Sequence, residues 1–223
     1  MTSRRGNAGH HVNILNDTRH DQRITKVQRT KIGDIVTTRN LRLAGSLAMT
    51  SAVLSIPLLL LSFYLYQNDE QGYTLFLTII QLAGLFLFIY LNSFLKSFLN
   101  LRFAFHETDN YIDFLITITI FLTIASIGAL YLPTLAEPLE LFSLLLLVSF
   151  GVGQLLFGIK LFHLPDSLQG MLKPFCLFAI LTGLLIASII LLPLASLTGS
   201  IADVMLGTIF FRASKKPAEL EVN

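Results

Sequence analysis

The sequence predicts an all-α integral membrane protein, a bundle of six transmembrane helices. Three observations carry this. Mean hydropathy is +0.69, and 13% of the 223 residues are charged, about half the ~25% of soluble domains. Apolar runs recur at the length of about 20 residues that a helix needs to cross roughly 30 Å of hydrocarbon. Lys and Arg gather in alternate connections, the asymmetry that orients multi-pass chains. The expected spans are about 43–66, 73–95, 112–132, 139–162, 174–193 and 197–212, one membrane domain over 43–212 between a basic tail (1–42) and a short C-terminal tail (213–223).

The tail of residues 1–42 holds nine Lys or Arg against three acids. Its expected partners are the bilayer and its anionic headgroups, to which each basic residue near the surface contributes about 1 kcal/mol. No nucleic-acid partner is expected, because no aromatic ring interleaves these charges to stack on bases. Ile24, Val27, Ile32, Ile35 and Val36 fall on one broad helical side, so the tail is read as partly disordered or as an interfacial helix. It lacks the apolar core of a secretory signal peptide, and the first span is expected to act as an uncleaved signal-anchor.

Span one contains Pro57, where a kink is expected because proline removes one backbone donor and crowds the preceding turn. Span two carries Gln81 inside and Asn92 near its predicted end. In the connection 96–113, Leu99, Leu101, Phe103 and Phe105 alternate with polar or small residues. This predicts an interfacial segment with Asp109 and Asn110 capping span three. A binding loop on His106, Glu107, Asp109 and Asp113 is the alternative, without metal-ligand spacing to favour it. Span three is rich in Ile and Thr, strand formers in water, yet a lone segment in lipid satisfies its backbone only as a helix. Span four opens at Pro138, where a missing N–H costs nothing. It bears Gly151, Gly153 and Gly158, small residues that let helices approach closely, and Gln154, able to bond a neighbour.

The stretch after Pro193 decides the topology. It offers only some 15–18 residues, and Asp203 at a helix centre costs about 2.5–3.5 kcal/mol on insertion scales. If it crosses, the N-terminal tail, the second and fourth connections and the C-terminal tail share one side, with nine, two, two and three Lys or Arg, the whole complement of sixteen. The other side then carries none. Six spans with both ends cytoplasmic, in a membrane of the bacterial inner-membrane type, follow from the positive-inside rule. Residues 194–200 (LASLTGS) are expected to form the turn. Gly199 and Gly207 join Ser196, Ser200 and Asp203 on one helical side, expected to face protein.

Asp203, Gln81 and Gln154 form the candidate intramembrane polar site. Asp203 is placed roughly 10 Å from the outer face and Gln81 roughly 12 Å, at 1.5 Å per residue, so the two are expected to share a layer. With no base at that depth, Asp203 is expected in its neutral form, donating a hydrogen bond. Its role is either a proton or cation relay, or a solute site, or simply a bond that fixes helix packing. Enzyme chemistry is not expected. Gly151-Val152-Gly153-Gln154 is similar to the glycine motif of intramembrane aspartyl proteases, but glutamine stands where that chemistry needs an acid. No histidine lies at the depth of Ser126, Ser143 or Ser188 to activate a nucleophile. Cys176 is the single cysteine, which excludes an intramolecular disulfide, and no metal and no cofactor are expected. A non-enzymatic scaffold, sensor or subunit acting through helix contacts, with a protein partner or a second copy of itself, is the favoured expectation. The alternative is a small transporter or proton-coupled permease using Asp203.

Overall fold

The computed structural model describes residues 37–68, 73–164 and 170–215. The expected interfacial helix of the N-terminal tail lies outside these residues, as does most of the C-terminal tail. Six α-helices follow in order: α1 Thr38–Asn68, α2 Tyr73–Phe103, α3 Asp109–Tyr131, α4 Ala136–Phe162, α5 Leu172–Ala187 and α6 Leu192–Lys215. A 3-10 turn, Pro133–Leu135, joins α3 to α4. No strand occurs among the described residues, and the chain is an all-α membrane bundle. Every helix but α5 is long and apolar enough to cross a membrane. The 16 residues of α5 reach about 24 Å at 1.5 Å per residue.

The helices form a closed ring in which each packs on its sequence neighbours and α6 returns to α1. The closest pairs are α4 with α5 and α1 with α6, and glycine explains both. A Cβ on Gly183 would lie 2.5 Å from the backbone nitrogen of Leu155 and 2.7 Å from the carbonyl of Gly151, while one on Gly151 would lie 2.6 Å from the nitrogen of Ala187. These two backbones touch. At α1–α6, a Cβ on Gly207 would meet the carbonyl of Gly45 at 2.9 Å, beside the fully buried Ala44 and Ala48. Gly158 faces Ile180 of α5, Gly153 admits the Phe114 ring of α3, and Gly199 has only an ordinary contact with Thr182. Small residues thus supply the van der Waals approach that lipid, as apolar as leucine, does not drive.

Successive helices alternate in direction, so all described Lys and Arg (Arg39, Arg42, Lys96, Arg102, Lys160, Lys173, Arg212, Lys215) fall at one end of the bundle. The opposite end carries Glu137 and Glu140. The apolar core sits in the basic half. Phe210 meets Phe94 and Phe98 edge-on, at 5.2 and 5.8 Å between ring centroids, above Leu99, Leu161 and Ile112, all nearly or wholly buried.

Three boundaries differ from the sequence expectation. The α5–α6 turn is at Ser188–Leu191, with Ile189 in the left-handed region (φ 59°), and residues 194–200 are helical. Pro193 occupies the first turn of α6 instead of closing α5, a place where its missing N–H has no intrahelical partner to lose. Within LASLTGS the hydroxyls bond their own helix: Ser196 to the Pro193 carbonyl, Thr198 to Leu194, Ser200 to Ser196. Second, α2 continues to Phe103, so 96–103 is the end of that helix and not a separate segment. Leu91, Phe94, Leu95, Phe98 and Leu99 are all buried, a 3.6-residue repeat that outweighs the alternation. Asp109 is the first residue of α3 and Thr108 its N-cap, without a side-chain cap bond. Third, α1 begins at Thr38 and is continuous through Pro57.

Candidate functional site

A cavity of about 260 Å³ lies inside the ring, lined from α1 by Ser51, from α2 by Gly84, Phe88 and Asn92, from α4 by Phe150, Gln154 and Phe157, from α5 by Phe175 and Thr182, and from α6 by Gly199 and Asp203. Because α6 starts at Leu192, Asp203 lies eleven residues from its start, roughly 16 Å at 1.5 Å per residue. That is near mid-bilayer and deeper than expected from the sequence.

The seam between α1 and α6 holds Asp203 in place. Ser51 donates from Oγ to Asp203 Oδ2 at 3.1 Å, and one turn away the hydroxyls of Ser55 and Ser200 bond each other. Small residues on both helices bring these polar groups within reach. Asp203 thus accepts a hydrogen bond at Oδ2, which leaves open the donation from a neutral carboxyl that the sequence leads one to expect. Across the cavity, Asn92 Nδ2 donates to the Phe88 carbonyl of its own helix at 2.9 Å. On α5, Thr182 donates to Thr198 Oγ1 of α6 at 3.0 Å.

Gln154 lines the same cavity as Asp203. Gln81 does not. Its Nε2 donates to Ser126 Oγ of α3 at 3.0 Å, its Oε1 is buried without a partner, and it lines a second cavity of about 390 Å³ between α2, α3 and α4. Gly84, Phe88 and Phe150 line both cavities, and the two rings stand 5.8 Å apart between centroids. An aromatic pair thus partitions one polar space from the other.

The acidic loop residues are engaged in pairs at the basic end. Lys96 bonds both Asp113 oxygens at 2.7 Å, Lys160 reaches Glu107 at 3.3 Å, and Asn100 and His106 both bond Asp109. Among the described residues no group of three or more His, Cys, Asp or Glu is placed to hold a metal ion.

Ser51 and Thr182 carry no signal in the sequence that marks them as cavity residues, and Asn92 is read there as lying near a span end. The signal for Asn92 was available: once the 3.6-residue repeat carries α2 to Phe103, Asn92 becomes an interior residue eleven positions from the helix end. What the fold and the site define is a multi-pass α-helical membrane protein with a polar cavity at mid-depth. No protein-family model, curated protein or solved structure matches the chain.

Proposed function

We propose that the protein is a small-solute transporter of the bacterial inner membrane, with its basic end toward the cytoplasm, acting by binding and passage and not by covalent chemistry. The observation that carries this is the convergence of Asn92, Gln154 and Asp203, from three helices, on one cavity. Polar side chains at that depth are costly, and they mark solute or ion pathways in membrane proteins. A protein serving only as a scaffold has no need of such a space. Two further features support passage. The second cavity adjoins the first at Gly84, Phe88 and Phe150, and α2, which lies between the two, packs least tightly of the helices.

In purified proteoliposomes, uptake of at least one small solute among urea, guanidinium and acetate is expected to exceed that of protein-free liposomes. Co-purification of a partner protein with no flux for any of the three would favour the scaffold reading instead. The orientation has its own test. Lys215→Cys, in a Cys176→Ala background, is expected to react with a membrane-impermeant maleimide in inside-out vesicles only. Labelling in intact cells would reverse the topology, since the Lys and Arg asymmetry is what supports it.

A further inference from the structure

We propose that the central cavity takes a small organic cation bearing N–H donors, an ammonium or guanidinium ion. The inference rests on the solute-transport reading and names its substrate class from the hydrogen-bond inventory of the wall. An ionised carboxylate offers about four lone-pair sites, and Asp203 uses only Oδ2, for Ser51. Asn92 gives one amide N–H to the Phe88 carbonyl, and its Oδ1 has no partner among the described residues. Gln154 makes no hydrogen bond to the described residues, so its amide oxygen is also available. Asp203, Asn92 and Gln154 reach this wall from three helices; the two amides carry donors as well as acceptors, whereas an ionised Asp203 only accepts, and it is this acceptor-only group that calls for N–H donors on the ligand.

The charge balance points the same way. Every described Lys and Arg lies at the basic end, and the ionisable residue lining the cavity is Asp203. Without a cation beside it a buried carboxyl is neutral, and a bound cation is what would hold Asp203 in its charged form. An anionic ligand would set like charge against like, and a neutral one would leave the carboxylate unpaired. A cation supplies the missing partner. Phe88, Phe150, Phe157 and Phe175 line the remaining wall, and aromatic faces attract ammonium and guanidinium groups through the ring quadrupole. The volume of about 260 Å³ falls below the ~300–1,000 Å³ of pockets for drug-sized ligands, so the cation is small.

Guanidinium and urea are planar and of the same size, but guanidinium is charged and carries a third NH2 where urea has a carbonyl acceptor, so the pair tests for a donor-rich cation at constant shape. In proteoliposomes, guanidinium uptake is expected to exceed urea uptake, and Asp203→Asn is expected to reduce it by roughly tenfold or more, the scale of losing one charge-assisted contact. Gln154→Met, on the opposite wall, is expected to lower it several-fold. It serves as the second variant, and both are to be monodisperse on size exclusion. Equal uptake of urea and guanidinium, unchanged in Asp203→Asn, overturns the cation assignment and leaves solute transport standing. Selective uptake of acetate does the same. No uptake of any of the three overturns both.

Discussion

Gly183→Ala is expected to destabilise the bundle by about 1–3 kcal/mol, the usual cost of forcing extra volume into a packed interior. The cost should exceed that of an ordinary core methyl, because the obstructing atoms are backbone. The added Cβ would stand 2.5 Å from the Leu155 nitrogen and 2.7 Å from the Gly151 carbonyl, and no rotamer change moves either. Relief requires α4 and α5 to separate along their contact. Those helices carry Gln154, Phe157, Phe175 and Thr182 of the cavity wall, so the same shift would deform the site. The measurement is the midpoint of heat-induced loss of the monodisperse peak in detergent. Gly151→Ala should behave alike, and the double variant should lose less than the two single losses together, because one separation of α4 from α5 relieves both clashes. A midpoint for Gly183→Ala equal to that of the unaltered protein would show that the two backbones are not in contact.

The six-helix architecture was legible because its cause is electrostatic and apolar bulk, which composition records directly. Sixteen Lys and Arg distributed over alternate connections require an even number of crossings, and α6 is indeed a 24-residue helix. The turn before it was not legible. Ser188-Ile189-Ile190-Leu191 contains no Gly, Pro, Asn or Asp, and a β-branched residue at positive φ is a rare choice. Ser196, Thr198, Gly199 and Ser200 look like a turn by the rules of water-exposed chains. In a helix facing lipid and neighbouring helices, their hydroxyls instead find the carbonyls of the preceding turn. The site was half legible for a similar reason. Depth along a helix can be counted, but the direction a residue faces depends on which neighbours pack against it. Gln81 turns to Ser126 of α3 and Asp203 to Ser51 of α1, so two residues assigned to one layer line different cavities.

Gly84→Leu is expected to abolish solute uptake while leaving the bundle as stable as before or more so. Gly84 is the position where the packing logic of Gly183 is reversed. A Cβ there would meet nothing within 4 Å, and the residue lines both cavities. A leucine side chain would fill the space beside Phe88 and Phe150, where the two cavities adjoin, and close the step between them. Stability should not suffer, since glycine inside a helix costs about 0.5–1 kcal/mol relative to alanine and leucine is nearly as good a helix former. Two measurements on one preparation decide the matter: the thermal midpoint and guanidinium uptake in proteoliposomes. An unchanged or raised midpoint with uptake at the level of protein-free liposomes is the expected pair. Undiminished uptake would mean that solute does not pass α2 at Gly84, and the two cavities would then be separate spaces with no path between them.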